Sequence, residues 1–400
     1  MTVIGENRAK TILAIGLLFT LQPFTNDPFL PSGLQISKDL AVSASLIQLS
    51  LSALSLGFAL GTVFAGPLSD SIGRRRPLIM GLGLYIVGAL LCAFAPNYTI
   101  FVVARILQGT AGSALAVVGV AILRDLYSGM GQIKASSRAM AVGSLSWFIA
   151  PTTGSLLLNI TNWRGVALIV GALGAIIGLL AIRVLPETKA KADRAEHVFT
   201  GMGHRFLNVL RDRPFRGLVL TNMFISMGLM GYLGFLPFLF NTTFGVQSNQ
   251  VGLFFAANSM AAYIGVQSVS KLAQRYQAKW LLMAFVILAI LVSVLLVLVS
   301  PKHPSLWLYE GLLMVWIFVY GTSVTPIQAL ALQAHGEESG TAMAVMGTAG
   351  SLGPVLAGPF YTMIDKTSGT GLGLVLLIFS VCALASLVFV VRPWRLAKLN

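Results

Sequence analysis

RAMAVGSLSWFIAPTTGSLL (Arg138–Leu157) returns late in the chain as TAMAVMGTAGSLGPVLAGPF (Thr341–Phe360). Ala-Met-Ala-Val aligns at 139–142 and 342–345, and Pro151 aligns with Pro354. The two copies stand about half a chain apart, which is the signature of a structural unit used twice.

What that unit is follows from hydropathy. Of the 400 residues 56% are hydrophobic and 10% charged, with a mean hydropathy of +0.83. A soluble domain carries about 25% charged residues. So few charges cannot clothe a surface in water, and most of this surface faces lipid. A helix crosses the hydrocarbon layer with about 20 apolar residues. Twelve such runs can be read, at about 11–31, 43–66, 77–96, 99–122, 137–160, 164–185, 216–240, 249–270, 279–300, 305–331, 340–362 and 370–392. Thr11–Thr20 has the look of a signal h-region, but the apolar pattern continues without a small-residue cleavage site, so it reads as the first span.

Each copy of the repeat lies in the fifth run of its half. The predicted fold is therefore an all-α membrane protein of 12 transmembrane helices in two pseudo-symmetric six-helix bundles, 1–185 and 216–400, around a central cavity. The polar stretch 186–215 is the expected linker, with an amphipathic surface helix near 201–211. Transporters built from repeats place their substrate near the midplane between them.

The net charge of +14 invites a nucleic-acid reading, but its distribution argues for topology. Of the 27 Lys and Arg, 22 fall on one set of alternating connections, four (Lys38, Arg164, Lys302 and Lys366) on the other set, and Arg105 lies within a span. That is the positive-inside pattern. It places both termini in the cytoplasm and leaves no nucleic-acid footprint. Cys92 and Cys382 occupy separate spans without a CxxC pattern and read as small packing residues.

GPLSDSIGRRRPLIMG (Gly66–Gly81) bridges the second and third runs. Gly66 and Gly73 permit a tight turn and close backbone approach, and Asp70, near the end of one helix, is placed to pair either with Arg74, beside Arg75, or with a cationic end of a neighbouring helix. The ordered Gly-x-Leu-Ser-Asp-x-x-Gly-Arg-Arg closely resembles the signature loop of the major facilitator superfamily. Ser71 stands where that family often has Arg, which puts one partner of its charge relay in question. In the second half, SKLAQRYQAKW (Ser270–Trp280) lacks the acid. ARILQG (Ala104–Gly109), with Arg105 and Gln108, resembles the superfamily's fourth-helix motif, linked there to proton coupling. Ser146, Ala150, Pro151, Gly154 and Ser155 stand in place of the fifth-helix motif of the drug:proton antiporters. Ala349, Gly353, Pro354, Ala357 and Gly358 form the second copy. Small residues at i and i+4 let helices pack backbone to backbone, which ordinary packing would also require. NDPFLP (Asn26–Pro31) followed by QISKDL resembles the first-helix signature of the bicyclomycin/chloramphenicol-resistance type of exporter.

Asp27 and Arg105 share a depth, roughly 22–24 Å from the cytoplasmic face at 1.5 Å per residue. A charge at the membrane centre costs about 2.5–3.5 kcal/mol even on the lenient insertion scale, so both are expected to face a common polar cavity. Burial disfavours the ionised form of Asp27 and Arg105 favours it. Asp27 is the expected proton carrier, against an alternative as an inert ion pair or cap. For Glu310 two readings stand: a second proton site or cation contact, and a carboxylate reaching the interface.

By family analogy the substrate contacts are Asn26, Gln108, Asn222, Met223, Met227, Met230, Trp316 and Tyr320. Methionine and aromatic groups suit adaptable apolar binding, and each of these residues also reads as packing. The resemblance implies a proton-coupled multidrug exporter of small lipophilic, amphenicol-like drugs, neutral or monocationic, working by alternating access. It would act as a monomer in the bacterial inner membrane, with the proton gradient as its energy source and no cofactor or metal. The competing reading is a proton-coupled transporter of a single physiological metabolite. No Ser/His/Asp set, metal cluster or phosphate loop points to an enzyme.

Overall fold

The computed structural model describes the chain except residues 1, 128, 190–201, 274, 303, 334–338 and 396–400. The described residues fold almost wholly as helices, and they divide into two units. The first comprises Met1–Val42 and Ala53–Thr200, the second Ser43–Ser52 and Gly201–Asn400. The division after Thr200 falls inside the stretch expected as linker, whose middle, 190–201, lies outside the described residues.

The first unit holds α1 (Thr2–Asn26), α2 (Gly33–Asp39), most of α3 (Ala44–Ile72), α4 (Arg75–Ala93), α5 (Tyr98–Leu126), α6 (Gly129–Ser144), α7 (Ser146–Leu157) and α8 (Trp163–Val184). The second holds α9 (Met202–Arg211), α10 (Arg213–Phe244), α11 (Ser248–Leu272), α12 (Ala278–Val299), α13 (Leu306–Gln333), α14 (Ser339–Thr362) and α15 (Gly369–Ala385). Caps mark several boundaries. Asn97 and Asn162 accept from the first free N–H groups of α5 and α8, donors that a helix start otherwise leaves without partners. Gly245, at φ +69°, ends α10 in the left-handed region.

Nine helices among the described residues are long and apolar enough to cross a membrane, against the twelve runs expected. The remaining three runs are helical too. The fifth is broken at Leu145 into α6 and α7, each too short on its own. The first (α1) and the eighth (α11) carry enough amide and hydroxyl groups, Asn26 and Asn258 among them, to fall below a membrane-like composition. The expected amphipathic helix is α9, whose Val209 is fully buried while Leu207 is 59% exposed.

Both units use one packing device. A Cβ on Gly109 of α5 would collide with the carbonyl oxygen of Leu54 on α3, and one on Gly321 of α13 would collide with that of Ala262 on α11. In each unit the second and fourth membrane helices therefore touch backbone to backbone, which only the missing side chain allows. Around these contacts lie two apolar cores. One is built on Ile15, Leu18, Tyr85, Leu115 and Val118, the other on Phe215, Leu218, Leu282, Val345 and Leu387.

Within the second unit Lys366, between α14 and α15, is only 3% exposed. Its Nζ donates to the Ala44 carbonyl at 3.2 Å and lies 5.6 Å from the Phe235 ring centre. Burial pushes this ammonium down to about 7.

Gly109→Ala is expected to lower the melting temperature in detergent markedly, at the overpacking cost of about 1–3 kcal/mol. Gly112→Ala on the same helix, where a Cβ meets nothing within 4 Å, should leave it unchanged. Lys366 gives a pH dependence. Its proton affinity is lower folded than unfolded, so unfolding takes up a proton between pH about 7 and the ordinary lysine value of 10.5, and stability rises with pH across that window. Lys366→Met should raise the melting temperature at neutral pH and flatten that rise.

Candidate functional site

α1 stops at Asn26 and passes into a single 3-10 turn, Asp27–Phe29, with Pro23 inside the helix and Pro28 in the turn. A helix end leaves its last carbonyls without i+4 donors, and proline adds no N–H to supply one. One of these carbonyls, that of Thr25, accepts from Arg105 Nη1 at 2.8 Å. Arg105 comes from α5 and is fully buried. Its Nη1 also donates to Gln108 Oε1 at 3.1 Å, and its Nη2 donates to Asn26 Oδ1 at 3.3 Å. The guanidinium lies 4.7 Å from the centre of the Phe29 ring, within cation–π range.

Asp27 joins this cluster indirectly. Asn26 Nδ2 donates to Asp27 Oδ1 at 3.1 Å while its own Oδ1 receives Arg105. Asn26 is thus a bridge, and no direct Arg105–Asp27 ion pair occurs among the described residues. Asp27 is half-buried, flanked by buried Asn26 and Pro28. Beside it the Thr25 and Tyr85 hydroxyls lie 2.8 Å apart. The first unit therefore brings together Asn26, Asp27, Arg105 and Gln108, the four that the sequence placed at one depth or on one motif.

The fifth-helix motif supports this turn. A Cβ on Gly154 of α7 would run into the backbone of Pro28, so α7 lies directly against the segment carrying Asp27. Ala150 and Pro151 are buried on the same helix. In the second unit Gly353, next to Pro354 on α14, would bring a Cβ within 2.6 Å of Met223 Cγ on α10. Both copies of the repeat thus pack against the leading segment of their unit, but through glycines one turn apart in register, since Gly154 aligns with Ala357 and Gly353 with Ala150.

The turn between α3 and α4 needs Gly73, at φ +93°. Arg74, 4% exposed, pairs with Asp70 and with Asp125 at the end of α5, both at 2.8 Å. Its proton affinity is raised: burial works against the charge, but hydrogen bonds to Asp125 and Asp70 outweigh it. Glu187 accepts from the backbone N–H groups of Arg74 and Arg75 at 2.8 and 3.1 Å, capping α4. Among the described residues the Ser71 hydroxyl donates only to the nearby Leu68 carbonyl. Arg74 thus links the two acids without an arginine at 71. A Cβ on Gly66 would meet Val117 at an ordinary 3.8 Å, so no close approach requires this glycine.

In the second unit Asn222 donates to the Met346 carbonyl, and Met227 and Trp316 are core residues at 5% and 4% exposure. Met223, Met230 and Tyr320 are half-buried. Phe224, Trp316, Tyr320, Ser323 and Phe379 line part of a small cleft within this unit. Glu310, 4% exposed, accepts from Asn258 Nδ2 at 2.7 Å and so is folded inward. Sequence reasoning missed Thr25, Tyr85, Glu187 and Asn258. Tyr85 and Asn258 left a usable signal, as isolated polar groups in long apolar runs. The Thr25 carbonyl left none, since backbone groups have no sequence.

A model of the Major Facilitator Superfamily matches residues 12–358. The chain belongs to that superfamily, whose members are transporters. It is 32% identical over 386 residues, 94% of each chain, to the uncharacterized MFS-type transporter YdgK of Bacillus subtilis. It is 29% identical over 264 residues, 65% of this chain and 66% of the relative, to a bicyclomycin resistance protein homolog of Haemophilus influenzae. The solved D-xylose–proton symporter superposes with a TM-score of 0.77 at 15% identity, over 96% of this chain and 97% of that one. That last likeness shows the fold alone.

Arg105→Ala would strip donors from the Thr25 carbonyl, Gln108 and Asn26. At about 1–3 kcal/mol per buried acceptor, a large drop in melting temperature is expected. Arg105→Lys keeps the charge without the fork and should lie between. Arg275→Ala, at an exposed position, should melt like the parent protein.

Proposed function

We propose that this member of the superfamily is a proton-driven exporter of small lipophilic drugs, amphenicol-like and neutral or monocationic. It would sit in the bacterial inner membrane with both termini in the cytoplasm, where the basic connections lie. The observation that carries the proposal is the chain Asp27–Asn26–Arg105, a carboxylate joined through one amide to a fully buried cation. The drug reading adds the resemblance of Asn26–Pro31 to resistance exporters and the relative named for bicyclomycin resistance.

The chemistry needs only mutual exclusion. With Asp27 ionised, the Asn26 amide and the Arg105 charge behind it stabilise the carboxylate, and substrate occupies the site. With Asp27 protonated, that stabilisation is lost and substrate leaves. A ligand shifts such an equilibrium only by its differential affinity for the two states. Coupling therefore requires that substrate prefer the ionised site.

The test is proton release on adding chloramphenicol to detergent-solubilised protein near neutral pH, with Asp27→Asn alongside. Release from the parent protein that is absent in Asp27→Asn is the expected result. Equal release from both would remove Asp27 from the mechanism. Absence of release from both would overturn the amphenicol assignment, and the same assay over metabolites would then test the single-substrate reading.

A further inference from the structure

Glu310 and Asn258 lie apart from the Asp27 cluster, on α13 and α11 of the second unit. Both are almost fully buried, at 4% and 1% exposure. Asn258 spends both amide hydrogens, one on the Phe254 carbonyl at 2.9 Å and one on Glu310 Oε1 at 2.7 Å. Two acceptors then remain without a hydrogen-bond partner, Glu310 Oε2 and Asn258 Oδ1. A buried acceptor lacking a donor costs about 1–3 kcal/mol, more when charged.

No ion pair to Glu310 occurs among the described residues. α13 packs against α10, α11, α12 and α14, and among the described residues no titratable side chain on them bonds to this carboxyl. Lys271 on α11 lies about 20 Å along the helix from Asn258. Lys279 begins α12 at the end remote from Ser300. The Tyr361 hydroxyl is held by the Met227 carbonyl, and Tyr309, beside Glu310, donates to the Gly369 carbonyl. An uncompensated buried carboxylate is the most expensive state this site could adopt.

One small ligand corrects both faults. A proton on Glu310 Oε2 removes the charge and supplies the missing donor, which the neighbouring Asn258 Oδ1 can accept. With Asn258 Nδ2–H already on Oε1, acid and amide would then close a reciprocal pair of hydrogen bonds. A metal cation would find only two oxygens, where hard cations take six or more. We propose that Glu310 and Asn258 form a second proton-binding site, in the second unit and independent of Asp27, with the proton held between Glu310 Oε2 and Asn258 Oδ1.

The site can be read without substrate or transport. Infrared spectra of the purified full-length protein near neutral pH report a protonated carboxyl by its C=O band. Asp27→Asn is expected to keep one such band, and adding Glu310→Gln should remove it. Asn258→Leu should move it to higher frequency, because the carbonyl loses its N–H donor. Glu310→Gln preserves the reciprocal pair, its amide donating to Asn258 Oδ1, and should melt like the parent protein. Glu310→Leu, which orphans Asn258, should melt lower. A spectrum that Glu310→Gln leaves unchanged, or a band indifferent to Asn258→Leu, would overturn the assignment. Drug-induced proton release is read separately, so failure of the exporter proposal and failure of this site are distinguishable.

Discussion

A guanidinium cannot be deprotonated at any working pH, so a fully buried one must find acceptors where it lies. Arg105 has this problem in the middle of an apolar bundle, and the local shape of the first unit answers it. α1 breaks at Asn26 and turns through Pro28, so the end of a helix with its partial negative charge arrives beside the arginine. The prolines between Pro23 and Pro31 release carbonyls for use by a side chain. Gly154 then lets α7 close over the turn. Broken helix, glycine contact and buried charge are parts of one solution.

The two units share their frame and differ in their charges. Gly109 and Gly321 perform the same backbone contact in the two halves. In the register those glycines set, the residue facing the place of Arg105 is Ile317, buried and apolar. The second unit carries its buried acid elsewhere, at Glu310 near the start of α13, with an amide on only one of its two oxygens. Duplication thus supplied the scaffold, while the ionisable groups settled at non-equivalent positions. The turn after α3 is uneven in the same way, with Asp70 and Arg74 in the first half and no acid in the second.

Much of this was legible beforehand because it depends on one-dimensional quantities. The echo of Ala-Met-Ala-Val, the lengths of the apolar runs and the alternation of basic loops need no knowledge of which face of a helix turns where. The shared depth of Asp27 and Arg105 follows from rise per residue alone. What stayed hidden depends on rotation and on backbone groups. Asn26 reads as a substrate contact until its two amide ends are seen to be committed to Arg105 and Asp27. Met227 and Trp316 lie in the core because α10 and α13 turn those faces inward, which mean hydropathy does not encode. The break at Leu145 likewise leaves an apolar run unbroken in sequence.

The manner in which Arg105 is satisfied bears directly on whether Asp27 can work. A buried arginine bonded straight to a carboxylate resists change, since removing one partner of such a pair costs about 3–5 kcal/mol. An acid so held would be slow to give up its ionised form. Here the arginine takes a backbone carbonyl and two neutral amides, and only the Asn26 amide reaches on to Asp27. None of the bonds of Arg105 therefore goes to Asp27, and the proposed proton exchange there would leave all of them in place. Arg74 shows the opposite arrangement, paired directly with two acids in a turn where permanence is useful. Direct pairs thus fasten the frame, whereas Asp27 is joined to Arg105 only through the Asn26 amide.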